Sequence, residues 1–294
     1  MKSNRKIWIG IGVFIVAGGT GSSPVPASDT HDLEARSAEK ARACDGMNAD
    51  MRQRILMHAL TVGQGGEGGE GGEGGEGGIN VEAAAKDPVE YGVALQVIAA
   101  HYYAGLAAYE GKEQEAGAQM FAHGLSEIYV VMEDVFKARG VTGLGAKLEA
   151  AVAAAAEKKP VAEVKRKANA VFTALADAEK KAPQSNLPVP AVRAKIAAEL
   201  IDRAAAQYAV VQKDDNLEAY LDGLGFAIAA RDQAKPALPY LKKTDPKKAA
   251  ALEKALTLAG QAYPGIKRSK TSKVNLADLQ SAASAAKLAL SGLP

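Results

Sequence analysis

Beyond residue 78, apolar side chains recur at helical spacing through almost the whole chain, and this periodicity strongly constrains the fold. Alanine is abundant, and aromatic residues make up only 5% of the 294 residues. Small side chains allow helix axes to approach one another closely. Sustained runs of alternating Val, Ile, Thr or Tyr bounded by turn residues, which would indicate strands, are absent from the sequence. The pattern therefore predicts an all-α protein.

A Gly-Gly-Glu repeat at residues 65–78 interrupts this helical pattern. Glycine at two of every three positions makes a helix or a strand costly in backbone entropy, so we expect a solvated linker. The helical layout before the proline-rich stretch at 183–190 recurs after it, which favours two successive four-helix-bundle-like units. The predicted organisation is a signal peptide at 1–27, a short N-terminal helical segment at 28–64, the linker at 65–78, and bundle units at 79–183 and 184–294.

The first residues have the composition of a secretory leader. Lys2, Arg5 and Lys6 precede an apolar stretch at 7–18, and residues 25–27 offer a small-residue cleavage site. The apolar stretch is short for a membrane span, so we expect an exported protein, periplasmic or secreted. An uncleaved leader that acts as an anchor is the alternative.

The helices themselves can be placed from capping residues and periodicity. Asp87-Pro88 suits a helix start, because Asp caps well and Pro is tolerated in the first turn. Pro236 and Pro239 suggest a link between helices. The predicted helices are 88–109 and 113–138, which form a hairpin, then 144–157, 161–181, 191–212, 216–232, 246–262 and 275–291.

The charge is distributed unevenly. Residues 65–139 carry a net charge of −9 and residues 140–294 a net charge of +9, although the whole chain carries only +2. The basic stretches lack interleaved aromatic residues, which argues against nucleic acid; an envelope membrane protein or an anionic envelope surface is the more reasonable partner. The single cysteine, Cys44, allows no internal disulfide framework. It is either a packing residue or one half of an intermolecular disulfide.

Two histidines lie on the predicted hairpin. His101 is ten residues before the turn at Gly111, and His123 is twelve residues after it, so the two can share a layer. Glu127 follows His123 by four residues and lies on the same helical face. Two imidazoles and a carboxylate form a reasonable site for a transition metal. The alternative is that this face is solvated.

Asp134 and Tyr103 are lesser candidate ligands on the same hairpin. Asp134 lies near the face of Glu127, and phenolate oxygen binds ferric iron well. Tyr91, Tyr102 and Tyr109 fall on the apolar stripe and are expected in the core, whereas Tyr103 points elsewhere. The expected cofactor is a transition metal ion, iron foremost, with copper or zinc as alternatives.

The His-bearing hairpin also carries a family resemblance. With His123, Gly124, Leu125, Ser126 and Glu127 in place of a GxHxxE signature, the chain resembles the imelysin-like and periplasmic iron-uptake proteins. This resemblance implies a duplicated four-helix architecture and cation binding. Residues 65–140 are also similar to exported bacterial proteins that carry a Gly/Glu repeat ahead of a His-bearing helix pair. There the relevant residues would be His101, His123 and Glu127.

These observations predict a non-enzymatic, exported envelope protein that captures, stores or hands off a transition metal. The sequence contains neither a GxSxG nor an HExxH motif, and no convincing set of residues for a hydrolase was found. The alternative is an interaction module that uses its acidic front and basic rear for partners, without a metal.

Overall fold

The computed structural model describes residues 78–268 and 274–293. The predicted leader, the segment at 28–64, Cys44 and the repeat up to residue 77 lie outside the described residues. Within the described part the chain forms helices and no strand, which confirms the all-α prediction. The elements are α1 (Val81–Ala84), α2 (Pro88–Glu110), α3 (Gln114–His123), a π-helical segment (Gly124–Tyr129), α4 (Val130–Ala138), α5 (Leu144–Ala156), α6 (Val161–Glu179), α7 (Val189–Lys213), α8 (Leu217–Thr244), α9 (Pro246–Ala262) and α10 (Leu276–Ser291).

Side-chain caps begin several of these helices. The Asp87 carboxylate accepts hydrogen bonds from the backbone N–H groups of the first turn of α2, and Asp245 does the same for α9. Asn216 and Asn275 cap α8 and α10 in the same way. Such a cap satisfies N–H groups that have no partner within the helix and contributes about 1 kcal/mol. The capping residues explain why the predicted starts of these helices are accurate.

The predicted break near Pro236 and Pro239 is wrong. Both prolines lie inside α8, which continues to Thr244. They are three residues apart on the exposed face of the helix, where water can hydrate the carbonyl groups that proline leaves without an N–H partner. Ala237 and Leu241 on the opposite face are buried. Packing on this inner face therefore offsets the cost of the two prolines.

Helix α2 lies at the centre of the fold. It contacts α3, the π segment, α6, α7 and α8. Its approach to α3 depends on glycine, because a Cβ added to Gly117 would lie 2.7 Å from the carbonyl oxygen of Gly105. Its approach to α8 depends on Gly225, where a Cβ would overlap the carbonyl oxygen of Ala100. These two crossings hold three helices at close range around His101.

Three of the four tyrosines of α2 are core residues, as predicted. Tyr91, Tyr102 and Tyr109 are almost completely buried. Their hydroxyl groups donate to backbone carbonyl oxygens of α6, of α5 and of the loop between α5 and α6, respectively. A buried hydroxyl without such a partner would be costly. Each ring therefore fills the core while its polar tip ties α2 to a neighbouring element.

The two halves of the described chain are in contact. All described residues belong to one compact unit, and α2 of the first half packs against α7 and α8 of the second. The grouping into bundle units at 79–183 and 184–294 stays a prediction. The contacts between the halves bring α8 against the hairpin that carries His101 and His123.

Candidate metal site

The structure brings the two hairpin histidines together. His101 on α2 and His123 at the end of α3 have ring centroids 6.0 Å apart, and each residue is 5% exposed. Gly124 helps to make this possible, because a Cβ there would lie 3.4 Å from the Cβ of His101 and 3.2 Å from the Tyr102 ring. The two histidines are therefore buried and do not lie on a solvated face, which was the alternative prediction.

The helix that carries Glu127 differs from the predicted continuous helix at 113–138. Residues Gly124–Tyr129 are π-helical, so the hydrogen-bond register changes immediately after His123. The Ser126 hydroxyl donates to the Ala122 carbonyl oxygen at 3.0 Å and supplies an extra donor at this point. Single π turns within α-helices often occur at functional sites. Here the turn carries Glu127, whose Oε1 lies 3.8 Å from Nδ1 of His123.

His101, His123 and Glu127 form a candidate ligand set. One ligand atom from each residue can be chosen so that all three lie within 4.8 Å of one another. Ligand atoms on opposite sides of an ion, at bond lengths of about 2.1 Å, lie about 4.2 Å apart. A small adjustment of the side chains would therefore bring all three atoms into contact with one ion. Imidazole and carboxylate together suit borderline metals such as iron, zinc and copper(II).

Helix α8 adds two carboxylates that the sequence analysis missed. Asp222 Oδ1 lies 3.5 Å from Nε2 of His101, and Glu218 Oε1 lies 3.7 Å from Nδ1 of His123. The two residues are four apart, so they project from one face of the helix. This spacing was visible in the sequence, but nothing local indicated that the face would meet the hairpin. Gly225, close to Asp222, is the residue that permits the contact between α8 and α2.

His101 is held in one tautomer. Its Nδ1 lies 2.8 Å from the Val97 carbonyl oxygen, so Nδ1 carries the hydrogen and donates it. The lone pair of Nε2 then faces the cluster, and metal-binding histidines are oriented in this same way by a backbone carbonyl or a carboxylate. Burial lowers the pKa of His101, the hydrogen bond to Val97 opposes this effect and the positive charge of Arg203 adds to it, so that the resulting pKa is about 4. The ring is therefore neutral at pH 7, as a ligand must be.

The pKa of Asp222 is shifted in the opposite direction. Burial and, to a smaller extent, the negative charges of Glu218 and Glu127 together raise it to about 8. The 3.5 Å contact with His101 therefore joins a neutral imidazole to a largely neutral carboxyl group at pH 7 and is not an ion pair. Among the described residues, Oδ1 of Asp222 is buried without a hydrogen-bond partner. An oxygen of this kind is costly to bury, and a cation would satisfy it.

Tyr103 and Asp134 lie apart from this group. The Tyr103 hydroxyl donates to Oδ2 of Asp232 at 2.8 Å, and its ring stacks on Phe172 with centroids 4.6 Å apart. Asp134 is exposed on α4 and does not belong to the ligand set. The helical wheel placed Asp134 close to Glu127, but the π turn between Gly124 and Tyr129 changes the angle between the two positions.

Comparisons with known proteins supply no family for this chain. No protein-family model matches the sequence, and neither a curated protein nor a solved structure matches it. Among the described helices, none combines the length and the apolar character that a membrane crossing requires. The geometry of the site is thus the main guide to function.

Proposed function

We propose that this protein binds a transition metal ion through His101, His123 and Glu127. The observation that carries the proposal is that two buried imidazoles and a carboxylate, from three successive elements of the hairpin, place ligand atoms within 4.8 Å of one another. Imidazole nitrogen and carboxylate oxygen atoms this close together are ligands that a transition metal ion uses in proteins.

Asp222 extends the ligand set. Its Oδ1 lies beside Nε2 of His101 and requires a partner. Binding of a divalent cation would favour the ionised carboxylate, since metal binding and proton release are linked. The resulting set of two nitrogen atoms and two carboxylates contains no sulfur, which disfavours copper(I). We place iron first because of the resemblance to periplasmic iron-uptake proteins, with zinc and copper(II) as alternatives.

The role that we propose is capture, storage or hand-off of the metal by an exported protein of the cell envelope. Export rests on the leader-like residues 1–27. A binding role rather than catalysis is proposed because the polar groups described at this site all serve as ligands or orient them.

Metal content tests this proposal. The full-length chain is loaded separately with iron(II), zinc(II) and copper(II), and bound metal is measured by elemental analysis. We expect about one ion per chain, lost in His101→Ala and in His123→Ala. Glu127→Gln should weaken binding by 10-fold or more. Asp134→Asn is the matched control, because it removes an exposed carboxylate of the same hairpin and should bind as the wild type does.

Thermal unfolding provides an independent measure. A ligand that binds only the folded state stabilises it by about 2.7 kcal/mol at a concentration 100 times its Kd. The wild type and Asp134→Asn should gain this stability, and the two histidine variants should not. Wild-type protein that stays empty with all three metals would contradict the proposal. The interaction module with an acidic front and a basic rear would then be the function to pursue.

A further inference from the structure

A cavity opens near His123, and Glu218, a neighbour of that histidine, lines it. It has a volume of about 490 Å³ and lies between α3 and the start of α8. Gln119 and Met120 line it from α3, and Asp214, Asp215 and Glu218 line it from the α7–α8 connection and the first turn of α8. Its wall therefore carries three carboxylates, whose field favours cations in a concave site.

Exposure decreases stepwise from this cavity to the histidines. The side chain of Asp215 is 94% exposed, that of Glu218 47% and that of Glu127 24%, whereas those of His123 and His101 are each 6% exposed. A hydrated cation can thus reach Glu218 directly but cannot reach the imidazoles directly. A route to the buried ligands must pass a group that is partly exposed and also close to them.

Glu218 and Glu127 both meet these conditions, since the Oε1 of each lies within 3.8 Å of Nδ1 of His123. Of the two, Glu218 is the more exposed and is the one that lines the cavity. The Asp215 carboxylate, in contrast, is paired with the guanidinium of Arg268. Glu218 is a long side chain in the first turn of α8, so rotation about its bonds can move the carboxylate between the cavity and the cluster.

We propose that Glu218 is the entry ligand of this site. It binds a hydrated divalent cation at the cavity, replaces part of its water shell, and passes the ion to His123 and Glu127. The proposal rests on the function proposed above, because it requires a metal at the histidine pair. It adds the route and assigns to Glu218 a role different from that of the buried ligands.

The kinetics of cobalt(II) binding test the proposal. Cobalt(II) is the probe because its visible absorption reports ligation directly. Association with the full-length protein is followed by stopped flow, and dissociation by adding excess chelator. A ligand that transfers the ion speeds both association and dissociation of the metal. Glu218→Gln should therefore lower both rate constants, each about 10-fold. Because the two effects offset each other, Kd should change less than about 3-fold. Glu218→Asp keeps a carboxylate and should restore part of both rates.

Glu253→Gln is the control for charge. It makes the same chemical change on α9, where Glu253 is paired with Lys242 outside the cavity. Because distant surface charges are screened at about 0.15 M salt, this variant should leave both rate constants unchanged. Unchanged rates in Glu218→Gln would overturn the entry role, and so would faster dissociation with unchanged association. Both results leave the proposed function standing if wild-type binding still depends on His101 and His123. A wild type that binds no cobalt(II) would overturn the entry role, and the proposed function would fall with it only if the protein also stays empty with iron(II), zinc(II) and copper(II).

Discussion

Replacing Asp222 with asparagine should change how the stability of the metal-free protein depends on pH. The carboxyl group has an ordinary pKa of 3.8, and burial raises it to about 8 in the folded chain. Between these values the folded protein keeps a proton that the unfolded chain has released. Unfolding therefore releases a proton, and the free energy of unfolding falls as the pH rises, by about 1.4 kcal/mol per pH unit.

The expected magnitude follows from this slope. From pH 5 to pH 7, which both lie between the two pKa values, the free energy of unfolding of the wild type should fall by about 3 kcal/mol relative to that of Asp222→Asn. His101 acts in the opposite direction from about pH 4 to pH 6.5, because burial lowers its pKa and unfolding takes up a proton there. The two slopes nearly cancel in wild type over that range. The difference between wild type and variant isolates the contribution of Asp222.

Urea unfolding followed by circular dichroism at pH 5, 6 and 7, in the presence of a chelator, measures this difference. Asp134→Asn is the control, because it makes the same chemical change at an exposed site of the hairpin. A constant difference between wild type and Asp222→Asn would refute the reasoning, because it would mean that the Asp222 carboxyl group titrates equally in both states. A difference that grows in favour of the wild type as the pH rises would show an ionised carboxylate stabilised by a partner.

Further predictions concern the packing and the ligand set. Gly225→Ala should destabilise the protein by about 1–3 kcal/mol, because a Cβ there overlaps the carbonyl oxygen of Ala100; chemical unfolding measures this. At Gly260 a Cβ meets nothing within 4 Å, so Gly260→Ala should be neutral or stabilise the protein by up to about 1 kcal/mol. A loss of stability as large as that of Gly225→Ala would contradict the inference that Gly225 is needed for the close contact between α8 and α2. Tyr103→Phe should keep wild-type metal content by elemental analysis, as Asp134→Asn should, and a loss of metal in either variant would show that the ligand set is wider than described.

Local chemistry was sufficient to predict much of the fold. The start of α2 at Pro88 follows from the capping residue Asp87, because a cap acts on the backbone only two or three residues away. Helical periodicity likewise predicted the core tyrosines of α2. The pairing of His101 with His123 could be predicted because a short turn fixes the register of a hairpin.

Other features required the tertiary structure. Whether proline ends a helix depends on the face it occupies, and Pro236 is tolerated because packing on the other side of α8 offsets the lost hydrogen bond. The π turn that contains Glu127 likewise left no clear signal in the sequence.

The candidate site also has one part that the sequence predicts and another that only the tertiary structure reveals. The sequence by itself determined the hairpin half, with His101, His123 and Glu127, since these residues are close along the chain or related by one turn. Only the tertiary structure decided that Glu218 and Asp222 meet them, because that contact joins segments about one hundred residues apart. It depends on how closely α8 can approach α2, and the absence of a side chain at Gly225 permits this approach. Periodicity places a residue on a face of its helix, but the packing of all the helices decides which faces meet.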